Sequence, residues 1–392
     1  MHPACVDASG ILLVRPENKL KKETDMNRTT TALLLAGIIG GGYVGNAQDE
    51  GKGVDISGDI RLRHEYIDQD DNSSDRHRQR VRARVNVKAD VNENVKAGIR
   101  VASGSDDPVS TNQSFDDSFS SKELRLDRAY LAWQIAEALE LTGGKMGLPW
   151  VSVGDLIWDG DLNPEGVAAL FEHAIEGVKF IANGGYFWVD ELSSTSDDRM
   201  LYTGQVALES KLGDVAKVLV GVGIYHYDNM QGLALLVDSE DSFGNAAVDT
   251  GTEEEPSLVY ADDFEIYELF AQISGSAGDL PLKAYGQLVS NDAASDDDMG
   301  YLVGLTVGKA KEPGAYEFGY NYRDIEKNAI VGAFSDSDFG AGGANAEGHK
   351  LNAKVALDKS WTAGATVFLN QLDPDGEDVG YTRVQLDLVA KF

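Results

Sequence analysis

Apolar and polar residues alternate with a period of two along almost the whole chain from residue 54 onward. In residues 80–91, the clearest stretch, Arg, Asn, Lys and Asp side chains occupy one face and Val and Ala side chains the other. Residues 316–323 repeat the alternation with Tyr and Phe, and residues 383–392 repeat it at the end of the chain. A period of two is typical of a β-strand whose two faces meet different surroundings. The pattern therefore predicts an all-β fold.

Sixteen segments carry this alternation, and the connections between them alternate in length. The segments are approximately 54–67, 79–92, 95–103, 123–134, 139–148, 166–175, 178–190, 199–212, 216–227, 263–276, 280–290, 299–310, 314–326, 347–358, 360–371 and 380–392. Every second connection is short, at 93–94, 136–138, 176–177, 213–215, 277–279, 311–313 and 359. The others are long and polar, at 68–78, 104–122, 149–165, 191–198, 228–262, 291–298, 327–346 and 372–379.

Strict alternation of tight turns and long loops is typical of a barrel that crosses a membrane. The even strand number and the uncharged apolar face agree with this, and lipid requires a sheet without open edges. We therefore predict a transmembrane antiparallel β-barrel of about 16 strands, with short periplasmic turns and long extracellular loops.

A soluble β-sandwich, propeller or secreted β-helix is the alternative, since these folds alternate as well. A soluble fold would bury its apolar face between sheets, in domains of roughly 100–250 residues with visible breaks between them. No Pro/Ser-rich linker and no shift in composition divides residues 54–392. The undivided rhythm of turns and loops favours the membrane barrel.

The first 47 residues differ in character from the rest. Met26 starts a segment with a short basic region around Arg28, an apolar stretch at 32–39 and small residues up to Ala47. This order is typical of a secretory signal peptide. The expected organisation is an upstream extension from a mis-assigned start codon (1–25), a signal peptide cleaved after Ala47 (26–47) and the exported barrel (48–392).

Charge and cysteine content restrict the partners and the chemistry. The chain has a net charge of −31, and residues 1–47 carry five Lys/Arg and four Asp/Glu, so the exported part is at −32. Such a charge argues against nucleic acid as a partner, because phosphates would be repelled. The single cysteine, Cys5, lies in the upstream extension. We therefore expect neither a disulfide framework nor a Cys-based metal site.

The sequence contains no recognisable catalytic constellation. The six histidines are scattered and lack the spacing of metal ligands; they are His2, His64, His77, His173, His226 and His349. Neither a Gly-x-Ser-x-Gly elbow nor a phosphate-binding glycine loop occurs. We therefore expect no enzyme activity, no catalytic residues, no metal site and no cofactor.

Several stretches resemble the "putative porin" family of Gram-negative outer membranes. They are residues 58–63, the Arg-rich second segment with 95–104 after it, and 107–113, 126–133 and 143–146. The resemblance is sharpest over residues 54–150 and rests mainly on the alternation in the remainder. It implies a passive channel in the cell outer membrane, in contact with lipid and lipopolysaccharide, and it names no solute.

Two further expectations come from this resemblance. The terminal Phe392, at the end of an amphipathic strand, resembles the signal read by the outer-membrane assembly machinery. Sixteen-stranded porins are commonly trimers, so a homotrimer is expected by analogy. The strands around 299–308 and 363–367 are candidates for its interface, with plain lipid contact as the alternative.

Basic side chains collect on the polar phase of the first four strands. They are Arg61, Arg63, Arg80, Arg82, Arg84, Lys96, Arg100 and Arg125. Because these strands are neighbours, we predict a ladder of cations on one wall of the pore. The alternative is a set of structural ion pairs with acids of the same phase. Arg128 falls on the apolar phase, so either a bulge shifts the alternation there or the lipid-facing part of the strand ends early.

The third long connection carries the acids Asp155, Asp159, Asp161 and Glu165. Resemblance to sixteen-stranded porins implies that this loop folds into the barrel and forms the constriction, where its carboxylates would face the basic ladder. Charge and pore width at such a point select solutes. An ordinary exposed acidic loop is the alternative, and the longer loop 104–122 is a second candidate for the plug.

The expected function is passive diffusion of small hydrophilic solutes and ions, since sixteen strands enclose an aqueous channel. One alternative is a non-conducting barrel that serves as an adhesin, receptor or scaffold through its long loops. The other is a substrate-selective channel in which the basic ladder holds small anionic solutes.

Overall fold

A computed structural model of the chain describes residues 53–193, 198–252 and 257–392. The upstream extension and the signal peptide with its cleavage site after Ala47 lie outside the described residues. Both therefore stay predictions.

Sixteen long antiparallel strands, numbered β1 to β16 in chain order, form one sheet within the described residues. They are β1 (Val54–Gln69), β2 (Arg76–Asp90), β3 (Val95–Ser103), β4 (Leu124–Ala136), β5 (Leu139–Lys145), β6 (Glu165–Ile175), β7 (Val178–Asp190), β8 (Arg199–Leu212), β9 (Ala216–Asp228), β10 (Glu265–Ala277), β11 (Leu280–Asn291), β12 (Met299–Gly308), β13 (Tyr316–Ile325), β14 (Ala346–Ala356), β15 (Trp361–Leu372) and β16 (Val379–Lys391).

Each strand pairs with the next one in sequence, and β16 pairs back with β1. At this seam Ile60 lies opposite Ala390. The backbones of Gly58 and Phe392 exchange hydrogen bonds of 2.9 and 3.1 Å. A closed sheet leaves no strand edge exposed to lipid, where unpaired backbone groups would be costly. The predicted sixteen-stranded antiparallel barrel is confirmed.

The two phases of the alternation lie on opposite faces of the sheet. On β1, Arg63 and Glu65 are buried, whereas Ile60 and Leu62 are each 46% exposed. Polar side chains therefore point into the barrel, and the apolar phase forms its outer surface. Aromatic rings pack on this outer surface, as between Tyr186 and Tyr202 with ring centroids 5.2 Å apart. Aromatic side chains of this kind are typical of the lipid interface of membrane barrels.

The two ends of the barrel differ in their connections. Both termini of the sheet and all short turns lie at one end, the turn side; the long connections lie at the other end, the loop side. The long connections are L1 (70–75), L2 (104–123), L3 (146–164), L4 (191–198), L5 (229–264), L6 (292–298), L7 (326–345) and L8 (373–378). Among the described residues, no helix is both long and apolar enough to cross a membrane.

Three of the loops build a hydrophobic core inside the barrel. Trp158 of L3, Met230 of L5 and Ile330 of L7 are almost completely buried and belong to one cluster. The rings of Trp150 and Trp158 lie 4.6 Å apart, and Tyr225 of β9 meets Trp158 edge-on at 5.2 Å. Burying these side chains stabilises the loops inside the barrel, because each large apolar side chain contributes about 1.5–3 kcal/mol.

A bulge resolves the position of Arg128. The pairing of β3 with β4 shifts register between Arg100 and Val101, and Arg128 lies opposite Arg100. Nε of Arg128 donates a 2.6 Å hydrogen bond to the side-chain oxygen of Asn163 in L3. The shift in alternation that a bulge would cause is therefore present, and Arg128 points into the barrel.

Candidate functional site

Arginines line one side of the barrel interior. We call this set the basic wall: Arg61 and Arg63 on β1, Arg78, Arg80, Arg82 and Arg84 on β2, and Arg383 on β16. The three strands are neighbours in the sheet. Each arginine falls on the inward phase of its strand, and this spacing brings the guanidinium groups together.

Buried carboxylates lie among these arginines and form ion pairs with several of them. Nε atoms of Arg82 and Arg84 donate hydrogen bonds of 3.1 and 2.8 Å to Asp59. Glu65, with no exposed side-chain surface, accepts bonds from Nε of Arg78 (2.6 Å) and of Arg383 (3.0 Å). Charge-assisted bonds of this kind fix both partners. Much of the wall is therefore a rigid network.

Two arginines of the basic wall are less well paired. Nη2 of Arg61 donates to the side-chain oxygen of Asn112 at 2.6 Å, and Arg61 makes no carboxylate ion pair among the described residues. Nη1 of Arg80 lies 3.9 Å from Glu65. The Nε atoms of Arg61 and Arg80 are both buried and have no hydrogen-bond partner in the described part of the chain. Positive charge in the wall is therefore concentrated at these two positions.

L3 crosses the barrel interior. At one side, Val151 and the side chain of Gln205 on β8 exchange hydrogen bonds of 2.8 and 2.9 Å. At another, the carboxylate of Asp155 accepts bonds of 2.6 Å from both Arg323 of β13 and Lys350 of β14. These anchors and the apolar core hold L3 across the lumen.

Asp161 links L3 to the basic wall. Its carboxylate accepts a 3.0 Å bond from Arg84 and a 2.9 Å bond from the hydroxyl of Thr111 in L2. Ser103 donates a 2.8 Å bond to the backbone oxygen of Thr111. The inner part of L2 therefore lies against L3.

L7 adds a second set of carboxylates to the interior. Asp336 accepts bonds from Lys350 (2.8 Å) and Arg323 (3.3 Å). Asp338 accepts a 3.1 Å bond from Arg63 of the basic wall. The sequence reasoning missed these residues because it treated 327–346 as an exposed loop. The consecutive apolar residues 329–331 were the available signal, since such a run is unusual in a solvated loop.

L3 and L7 are joined directly. The amide of Asp159 donates to the backbone oxygen of Phe334 at 2.9 Å, and the amide of Ser337 donates to the Asp159 carboxylate at 3.1 Å. Burial, and then the nearby Asp336 carboxylate, raise the pKa of Asp159 to about 8. Burial acts in the same direction on Asp155 in L3, but the cations Arg323 and Lys350 outweigh it and hold the pKa of Asp155 below its ordinary range.

Three adjacent cavities run along the basic wall. The loop-side cavity (about 300 Å³) contains Arg80 and Arg383, and it shares Ser337 with the middle cavity (about 200 Å³). The middle cavity shares Arg61, Asp155 and Asp338 with the turn-side cavity (about 450 Å³). All three cavities lie between the basic wall and loops L3 and L7, and neighbouring cavities share lining residues. We call this row of charged cavities the candidate passage.

The family model described as "Putative porin" matches residues 43–259 and 264–392. The chain belongs to this porin family. The family and the fold are those of channels.

Solved structures of porins share the fold of this porin-family chain. Pseudomonas putida OprB at high pH has a TM-score of 0.58 at 12% identity, covering 94% of this chain and 97% of that one. Salmonella typhi OmpF in complex with daunomycin has a TM-score of 0.53 at 11% identity, covering 86% and 97%. No curated protein matches the sequence. The chain is an outer-membrane β-barrel.

Only some residues of the predicted basic ladder of this porin-family barrel lie together in the structure. Arg61, Arg63, Arg80, Arg82 and Arg84 lie together in the basic wall, and Arg100 is buried beside Asp127 on the neighbouring strands. Their role in lining a pore stays a prediction.

Two basic residues of the predicted ladder, Lys96 and Arg125, are exposed and lie outside the basic wall. Lys96 is exposed near the turn side of β3. Arg125 pairs at 2.6 Å with exposed Glu123, and its own side chain is 46% exposed. Arg125 lies near the loop-side end of β4, which is not one of the three neighbouring strands that carry the basic wall. Arg78 and Arg383 take their place in the wall.

The four predicted constriction acids do not all face the basic wall. Asp161 meets Arg84, whereas Asp155 contacts the cations of β13 and β14, and Asp159 contacts the backbone of L7. Glu165 is the first residue of β6; it pairs with Lys145 at 2.7 Å, and its side chain is 62% exposed. Glu165 belongs to the strand rim because it lies opposite Lys145 in the β5–β6 ladder.

No metal-binding group is visible in the candidate passage. Within residues 53–193, 198–252 and 257–392, no three or more His, Cys, Asp and Glu side chains are arranged to hold a metal ion.

Proposed function

We propose that this protein is an outer-membrane porin through which small hydrophilic solutes and ions diffuse passively. The route is the passage of three adjacent cavities between the basic wall and loops L3 and L7. That row of cavities is the single observation that carries the proposal, because neighbouring polar and charged cavities share lining residues from the loop side to the turn side of a closed barrel. No catalytic step is part of this function.

Fixed charges and narrow width would set the selectivity of the route. The basic wall holds arginines on one side, and Asp155, Asp159, Asp161, Asp336 and Asp338 lie on the other. In this proposal L3 and L7 together form the constriction, and L2 supports them.

Liposome swelling tests solute passage directly. Full-length mature protein refolded into liposomes should admit small sugars, and the rate should fall as the solutes grow. Protein-free liposomes, and liposomes that contain heat-unfolded protein, are the controls. Liposomes with folded protein that swell no faster than empty ones would contradict the proposal.

A non-conducting adhesin, receptor or scaffold is the second candidate. It is favoured by the packing of L3, L5 and L7, whose buried apolar side chains fill much of the loop-side interior. The same swelling assay separates the two functions, because a sealed barrel would fold normally and give no solute uptake.

The remaining proposals concern export and assembly. We propose that the chain is exported with cleavage after Ala47, which N-terminal sequencing of the membrane-bound protein would test. The exposed Phe392 at the seam with β1 supports recognition by the assembly machinery. Deletion of Phe392 should then reduce the amount of barrel that reaches the outer membrane.

We also propose a homotrimer. The strands around 299–308 and 363–367, in β12 and β15, are candidate contact surfaces, with exposed Val303 on the first; plain lipid contact is the alternative. The mass of the protein in mild detergent, measured by light scattering, should correspond to three chains. A mass of one chain would contradict the trimer and leave the channel proposal intact.

A further inference from the structure

The loop-side cavity has an unusual set of charges at the mouth of the passage. It is lined by four arginines, Arg76, Arg78, Arg80 and Arg383, and by one carboxylate, Asp107. Hydroxyl and amide groups complete the lining, among them Ser74, Ser110 and Tyr381. Nearly every charged or polar group of this cavity is therefore a potential hydrogen-bond donor to an anion.

The acids near this cavity do not neutralise its arginines. Glu65 accepts hydrogen bonds from Arg78 and Arg383, and its carboxylate lies 3.9 Å from Nη1 of Arg80. One buried carboxylate is therefore shared by three guanidinium groups. The Nε of Arg80 is buried without a hydrogen-bond partner among the described residues. A buried donor without a partner is costly, so Arg80 is the arginine of this cavity whose hydrogen-bonding capacity is least used by the protein.

The single lining acid, Asp107, makes no ion pair with the arginines of the cavity among the described residues. Asp107 accepts a 3.0 Å hydrogen bond from the amide of Val109 in its own loop. Burial raises the pKa of Asp107, and the nearby Arg80 acts in the opposite direction. Asp338, which pairs with Arg383, is also shared with Arg63. Four arginines therefore face one lining carboxylate and two carboxylates that are each shared among two or more cations, which leaves the cavity positive.

We propose that the loop-side cavity is a binding site for small oxyanions that carry two or more negative charges, as carboxylates or phosphates. Arg78, Arg80 and Arg383 hold the anion, and the passage beyond carries it. The proposal deepens the porin function above and rests on it for the transport step.

The geometry of guanidinium groups supports this class of ligand. The planar fork of arginine matches the two oxygens of a carboxylate or phosphate, which a single chloride ion cannot satisfy. The volume of about 300 Å³ is at the lower end of small-molecule sites, which favours compact ligands. A ligand with two charged groups can engage two arginines at once.

The charges that line the middle and turn-side cavities would also favour the passage of an anion. On the acidic side, Asp155 and Asp336 are paired with Arg323 and Lys350, and Asp161 is paired with Arg84. Arg61, by contrast, lines the middle and turn-side cavities without a carboxylate partner among the described residues. An anion that leaves the mouth therefore meets a second available guanidinium.

Binding is tested by calorimetry on folded, detergent-solubilised full-length mature protein, with citrate, inorganic phosphate and chloride as probes. Citrate or phosphate should bind more tightly than chloride. Arg80→Gln should weaken the tighter of the two by roughly tenfold or more, since bonds between charged groups are the strong ones. Arg80→Lys should fall between wild type and Arg80→Gln, because it keeps the charge and loses the fork.

Lys217→Gln is the matched control. Lys217 is exposed near the turn side of β9 and pairs with Glu209, so this variant removes one positive charge away from the cavity. It should bind the probes like wild type. Circular dichroism before and after heating identifies any variant that has failed to fold, and Arg78→Gln then replaces Arg80→Gln in the comparison.

The outcomes separate this site from the porin function. Equal binding of the oxyanions by wild type, Arg80→Gln and Arg78→Gln would overturn the site even if the channel conducts. Failure of wild type to bind either oxyanion would overturn it as well. Binding that depends on Arg80 in a barrel that does not conduct would support the site and contradict the porin function. A preference between citrate and phosphate identifies which oxyanion chemistry the cavity takes.

Discussion

Replacement of Arg61 by Gln tests the charge of the passage most sharply. The guanidinium lies on β1 between the middle and turn-side cavities, and its one described hydrogen bond goes to Asn112, a neutral partner. A permeating ion therefore meets a charge that forms no direct ion pair with a carboxylate in the described part of the chain. Arg61→Gln removes this charge and keeps a side chain that can still donate a hydrogen bond to Asn112.

The size of the effect follows from Coulomb's law. A unit charge about 4 Å from the ion contributes about 1 kcal/mol in surroundings that resemble water, and more in a narrow site. A change of 1 kcal/mol in the barrier alters a rate by about fivefold. Because the same change favours cations and disfavours anions, the anion-to-cation permeability ratio should fall by at least about fivefold.

Reversal potentials across a planar bilayer with a salt gradient measure this ratio. Salt should be kept near 0.1 M, where the screening length is about 10 Å. Arg125→Gln is the matched control, since it removes the same charge from an exposed residue paired with Glu123. Equal reversal potentials for wild type and Arg61→Gln, or an equal shift in both variants, would refute the assignment of Arg61 to the ion route.

Three further predictions concern the loops and the seam of the barrel. The Asp159→Asn variant should become more stable relative to wild type as the pH rises from 5 toward 8. In the folded wild type the carboxyl, whose pKa is about 8, keeps a proton that the unfolded chain has lost, and this proton linkage destabilises the wild type. Thermal melts in which the difference in melting temperature between variant and wild type is the same at pH 5 and pH 8 would contradict this. Trp158→Ala should cost about 3–5 kcal/mol of loop packing and increase single-channel noise, and an unchanged current trace would count against packing of L3 in the lumen. Gly58→Val should impair closure of the barrel, since a Cβ at this position would lie 2.5 Å from the backbone oxygen of Arg84. Gly143→Ala should fold normally, because a Cβ there would have no atom within 4 Å. Equal folding yields for the two variants would contradict the steric argument.

The strands could be predicted from the sequence because their signal is local. Each of the sixteen predicted segments corresponds to one of β1 to β16, with ends that differ by a few residues. The period of two survives in the structure because one face meets lipid and the other meets the lumen. The bulge near Arg128 was also visible, as a charge on the wrong phase of a strand.

The interior loops could not be predicted in the same way. A long polar connection has the same composition whether it lies over the mouth or folds into the barrel. The pairing of Asp155 with Arg323 joins residues that are 168 positions apart, so no local pattern indicates it. Only the apolar residues within L3, L5 and L7 distinguish these loops from solvated ones.

The place of Arg383 in the basic wall could have been predicted from the sequence. Closure of a barrel places the last strand beside the first, so an inward-facing arginine of β16 belongs to the same wall as those of β1. Arg383 lies on that phase, and in the structure it shares Glu65 with Arg78. The predicted ladder stopped at the fourth strand because it followed the chain in one direction only.

Conductance of a planar bilayer after addition of the folded, mature protein tests the central claim most directly. A passage between the basic wall and loops L3 and L7 predicts stepwise current increments of uniform size. A bilayer that takes up the folded barrel, as detected by antibody after the recording, and shows no current steps would contradict it.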